Sequence, residues 1–136
     1  MAHRDIDLYL KAQMLAPSPR AVEAQAFSKS VLLLVHAQKH ADDYAVYSAA
    51  LEFNRALWTV LQADVADDAN PLPEDVKCDF LSLSLFVDRQ TVKALAEPNG
   101  DHLTALIAIN RDIARGLRAR DGLAGDEAAD GGSPDD

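Results

Sequence analysis

The chain has 136 residues, 49% of them hydrophobic and 26% charged, with a formal net charge of −9. That length fits one domain, and the charge offers no broad basic field of the kind that dominates nucleic-acid affinity. A single cysteine, Cys78, excludes an internal disulfide framework and a Cys-rich zinc site.

The first residues, Met1-Ala2-His3-Arg4-Asp5-Ile6-Asp7, are charged and lack the apolar core of a signal peptide. Ile6, Leu8, Leu10, Met14 and Leu15 leave residues 1–17 open between a short helix and a packed arm. Pro17 and Pro19 then interrupt. Ser18 before Pro19 is a helix-start signal, since serine caps and proline suits the first helical position. The first long helix is predicted from there to about Lys39, with Val22, Phe27, Leu34 and Val35 on its apolar face. Val31 to Val35 is apolar all round, which points to deep burial or a second covered face. That run is far shorter than the roughly 20 residues needed to span a bilayer, so the cytoplasm is the expected compartment.

Asp42 or Asp43 supplies the cap of a second helix. In it Tyr44, Tyr47, Leu51, Asn54, Trp58, Leu61 and Val65 recur at spacings of 3, 4, 3, 4, 3 and 4, a heptad seam broken only by Asn54. The helix ends before Asp67-Asp68-Ala69-Asn70-Pro71. Pro73 opens a third helix, with Glu74 and Asp75 well placed in its first turn. Val76, Phe80, Leu83, Val87 and Thr91 mark one face, and Leu81, Leu85, Val92 and Leu95 widen it. That width predicts a helix packed on two sides, central in a bundle. Pro98-Asn99-Gly100 ends it. Asp101 is the predicted cap of a fourth helix, in which Leu103, Leu106, Asn110, Ile113 and Leu117 again follow the 3, 4 alternation.

After Arg120 the composition turns to Gly, Ala and Asp. Six acids (Asp121, Asp126, Glu127, Asp130, Asp135, Asp136) fall there with no base, leaving the rest of the chain at only −3. Such sequence buries too little apolar surface to offset its ordering entropy. The reading is an all-α protein: a small antiparallel bundle of about four main helices over residues 1–120, and a disordered acidic tail over 121–136.

Chemistry is sparse. His36 and His40 are four apart and share a helical face, but no third ligand stands at a supporting spacing, so no metal site is expected. Asp64, Asp67, Asp68 and Asn70 lack the glycine and distant glutamate of a calcium loop and read as a polar loop. Ser82 and Ser84 have no nucleophile-elbow context, and the glycines form no phosphate-binding pattern. Nothing points to an enzyme or to a cofactor. Asn54 and Asn110 carry more information, because an amide in an apolar seam is costly unless hydrogen-bonded. Each is followed by an arginine, Arg55 and Arg111, in the echoing segments 51–57 and 107–113. The asparagines are either register devices or polar anchors for a partner helix.

At these residues a family resemblance emerges. Leu51-Glu52-Phe53-Asn54-Arg55-Ala56-Leu57-Trp58 resembles the N-R-x-L-W core of the FlaF family of flagellar biosynthesis regulators. In order along the chain, Ser18-Pro19-Arg20 with Glu23, Asp64, Asn70-Pro71-Leu72-Pro73, Ser82-Leu83-Ser84-Leu85-Phe86-Val87-Asp88-Arg89, Leu106-Ile107-Ala108-Ile109-Asn110-Arg111 and Gly116-Leu117 resemble its further motifs. The likeness covers about residues 5–118 and leaves out the acidic tail. It implies a cytoplasmic protein that binds flagellin as a chaperone or adaptor and promotes flagellin production and export. The alternative it implies is post-transcriptional regulation of flagellin through FlbT or the flagellin messenger RNA. Direct RNA binding is disfavoured, because basic and aromatic residues are few and scattered. The residues expected at the partner surface are Arg20, Asn54, Arg55, Trp58, Asp88, Arg89, Asn110 and Arg111. For Asp88 and Arg111 a buried pair fixing the third and fourth helices is the structural alternative.

Overall fold

In the computed structural model, the backbone is described for residues 19–132 and side chains for residues 24–118. The expectations for residues 1–17 and for Ser18 as a cap lie outside the described residues. Four α-helices and one 3-10 turn follow, with no strand among the described residues: α1 (Pro19–Lys39), α2 (Tyr44–Ala66), α3 (Glu74–Ala96), the turn Gly100–Leu103 and α4 (Thr104–Gly132).

The helix ends follow local chemistry. Asp43 caps α2, its carboxylate accepting from Val46 N–H at 3.3 Å. The loop after α2 is held by its own polar groups: Asp67 Oδ1 accepts from Ala69 N–H at 2.8 Å and Asn70 Oδ1 from Leu72 N–H at 3.0 Å. Pro73 precedes α3 without a side-chain cap, and Glu74 and Asp75 fill its first turn.

One predicted cap is wrong. Asp101 does not cap the fourth helix; it lies inside the 3-10 turn, and Asn99 Oδ1 accepts its N–H at 2.9 Å. The chain tightens here because it must pass beneath the end of α1. Gln38 Nε2–H donates to Gly100 O and to Thr104 Oγ1, both at 2.9 Å. A Cβ on Gly100 would stand 2.5 Å from Gln38 O, so only glycine fits without a shift.

Consecutive helices run antiparallel. α1 packs against both α2 and α4, α2 also packs against α3, and α3 otherwise touches the 3-10 turn. The lateral order is therefore α4–α1–α2–α3. The core is built from Phe27, Leu34, Tyr47, Leu51, Leu57, Trp58, Val87, Leu103 and Leu106, all essentially inaccessible. The apolar run in α1 is covered on two sides, burying Val31 and Leu34 and leaving Leu32 exposed.

The prediction that the third helix is central is corrected by this order. Leu81, Leu85, Phe86 and Val92 are exposed on α3, and α1 is the helix with a neighbour on each side. A wide apolar face in sequence arises equally from burial on two sides and from an exposed apolar surface.

α3 is anchored at its C-terminal end. The last carbonyls of any helix lack intrahelical donors. Here Tyr47 Oη–H donates to Ala94 O at 2.7 Å and Tyr44 Oη–H to Leu95 O at 3.2 Å. Asn99 N–H in turn donates to Tyr47 Oη at 3.2 Å. The backbone of residues 121–132 continues α4 past Arg120, and the last buried side chain is Ala114 among those described. Among the described residues no helix is long and apolar enough to cross a membrane.

Candidate functional site

Three of the expected partner residues meet inside the core. Ser30 Oγ–H donates to Asn54 Oδ1 at 2.9 Å. Asn110 Nδ2–H donates to Asn54 Oδ1 at 2.7 Å and to Ser30 Oγ at 3.1 Å. Trp58 Nε1–H donates to Asn110 Oδ1 at 3.1 Å. All four side chains are wholly buried, and the knot ties α1, α2 and α4 at one level. Asn54 Nδ2 is the one atom of it left without a partner. Such a network fixes which layers meet, because any slip in register strands buried polar groups. The echo between segments 51–57 and 107–113 is thus two asparagines bonded to each other, each with its arginine on the outside.

The other expected residues are dispersed. Arg55 is exposed on α2 and lies 3.3 Å from Glu52. Arg89 and Arg111 are exposed on α3 and α4. Asp88 is half-buried and accepts from Gln62 Nε2–H at 3.2 Å. The anticipated Asp88–Arg111 pair does not form: Asp88 is engaged by α2, and α3 is not packed against α4. The side chain of Arg20 lies outside the described residues.

None of the seven whose side chains are described lines a large concavity of the bundle. This is a groove of about 790 Å³ at the end of the bundle where α2 gives way to α3, a size typical of ligand sites. One wall is Val76, Phe80 and Leu83 of α3; the other is Ile113, Gly116 and Leu117 of α4. Phe27, Leu61 and Val65 form its floor, and Pro71 and Leu72 close one end. It is the fourth seam of the bundle, held open where the other three are packed.

Two features of the groove bear on what it accepts. Trp58 lies beneath it, edge-to-face with Phe27 at 5.6 Å and stacked on Phe80 at 5.2 Å. The indole reaches no partner itself but sets two rings that line the groove, and aromatic pairs in these geometries are mutually favourable. The rim is acidic: Asp64, Asp67, Asp79 and Asp112 line it, with no lysine or arginine among the described lining residues. Asp112 is also 3.3 Å from the exposed Arg115. The arrangement suits an apolar helix face flanked by bases. A Cβ on Gly116 would meet nothing within 4 Å, so that glycine leaves open space in the α4 wall.

Sequence reasoning read Phe80, Leu83, Ile113 and Leu117 as core and Asp64, Asp67 and Asn70 as a polar loop. The signal was there in the surplus of apolar positions on the third and fourth helices, more than four packed seams need. The quoted motifs divide between two places. The N-R-x-L-W and I-N-R segments build the buried knot, while Asp64, Asn70-Pro71-Leu72, Leu83 and Gly116-Leu117 surround the groove.

Fold and groove together define an all-α bundle protein with one seam left open. The family model of the flagellar protein FlaF matches residues 6–117, and the chain belongs to the FlaF family. A search of curated proteins and a search of solved structures each found no match.

Proposed function

We propose that this protein binds flagellin in the cytoplasm as a chaperone or adaptor, and thereby promotes flagellin production and export. The observation that carries the reading is the open α3–α4 seam in a member of a flagellar family. An unfilled seam between two amphipathic helices receives the apolar face of a third, the helix-in-groove mode of recognition. Covering an apolar segment of flagellin there would keep that segment from associating before export. In this reading the protein is a binding protein and not an enzyme. The rim of carboxylates favours a peptide with basic flanks over a polyphosphate, so the messenger RNA is the weaker partner. Of the residues expected at the partner surface, Trp58 supports this reading through the Phe27 and Phe80 rings it packs against, and Arg55, Arg89 and Arg111 are exposed.

Co-expression with flagellin of the same organism, followed by size exclusion with light scattering, tests it. The expected result is a one-to-one complex that is lost when flagellin's terminal segments are deleted. Two separate peaks at low and at moderate salt would overturn direct binding and turn attention to FlbT.

A further inference from the structure

We propose that residues 5–16 of this same chain occupy the groove when no partner is present, as a placeholder that the partner displaces; the displacement step rests on the groove being the partner site. The first argument is position. The segment joins the fold at Pro19, the start of α1, and Phe27 of α1 already lies in the groove floor, about 12 Å of helix away. Ser28 Oγ accepts from Arg118 Nη2–H, so the beginning of α1 runs beside the stretch of α4 that forms a groove wall. α1 therefore begins at the end of the bundle where the groove lies.

Size and chemistry agree with position. Ile6, Leu10 and Met14 recur every fourth residue, the spacing that would set them on one side of a helix about 12 Å long. The α3 wall from Val76 to Leu83 is about 10 Å long. Arg4 and Lys11 balance Asp5 and Asp7, so residues 1–18 bring no net charge to the acidic rim. A neutral arm supplies the apolar contact but little of the electrostatic one, and it yields to a partner that supplies both. The device hides an apolar groove that would otherwise face water, and sets a threshold for binding.

The test uses the full chain and its variant Ile6→Asp/Leu10→Asp/Met14→Asp, read by methyl NMR. The expected result is that the methyl signals of Leu83, Ile113 and Leu117 shift between the two while those of Leu34 and Leu51 stay. Unmoved groove methyls would overturn the proposal. So would groove shifts that vary with protein concentration, since the occupant would then be a second copy of the chain. Titration with flagellin is the second arm, and the variant is expected to bind about tenfold more tightly, because the fraction of open groove rises. Equal affinities would overturn displacement. Shifted methyls with no flagellin binding by either form would uphold the arm and overturn the flagellin reading.

Discussion

At the scale of the residue, Asn110 joins three helices because its amide both accepts from Trp58 and donates to Asn54 and Ser30. Asn110→Ala strands the indole N–H in a dry core and removes the donors to Asn54 Oδ1 and Ser30 Oγ, while Ser30 keeps its bond to Asn54. The expected cost is about 3 kcal/mol in chemical denaturation, with the complex partner still recognised at temperatures where the variant stays folded. The two glycines facing the described helices predict opposite signs. Gly100→Ala drives a Cβ into Gln38 O and is expected to cost about 2 kcal/mol. Gly116→Ala meets open space in a helix and is expected to gain about 1 kcal/mol. A pair of thermal melts separates them. The seam asparagines were legible in the sequence as costly polar groups at core positions; their being bonded to one another was not, because spacing gives the face of each helix and not the level at which two helices meet.

At the scale of the element, α3 is held hard at one end. Tyr47 closes Ala94 O and takes Asn99 N–H, so the last turn of α3 and the turn after it hang on one buried hydroxyl. Tyr47→Phe keeps the ring and removes the bonds. It is expected to cost about 1–2 kcal/mol and to speed amide exchange at Leu95–Asn99 before that of the α1–α4 core; uniform exchange across the molecule would contradict the clamp. The other end of α3 stands off from α4, and that stand-off makes the groove. Helix boundaries were legible where Asp43, the prolines and the Asn99-Gly100 step act locally, but not the start of α4, where a 3-10 turn takes up Asp101, nor its continuation past Arg120. The lateral order was not. Apolar residues on α3 look the same in sequence whether they face a neighbour, a groove or solvent, and only the open seam assigns Phe80 and Leu83 to one and Leu85 and Val92 to another.

At the scale of the whole molecule, the chain folds as an up-and-down bundle that leaves one of its four seams unfilled and rims it with aspartates. The acidic stretch after Arg120 stands apart from this plan, since the last described wall residue of the groove is Leu117. Ending the chain at Arg120 is expected to change stability by less than about 0.5 kcal/mol and to leave partner binding in place. The family motifs marked the groove's edge, but an empty seam has no sequence period of its own. The most direct measurement is flagellin binding by Gly116→Leu. Gly116 lines the groove, a Cβ there meets nothing within 4 Å, and leucine replaces a glycine in mid-helix, so the variant is expected to be at least as stable as the parent. The account predicts a thermal midpoint no lower than the parent's and flagellin affinity reduced more than about tenfold, a loss of 1.4 kcal/mol or more. A stable variant that binds flagellin as the parent does would contradict the groove as its site.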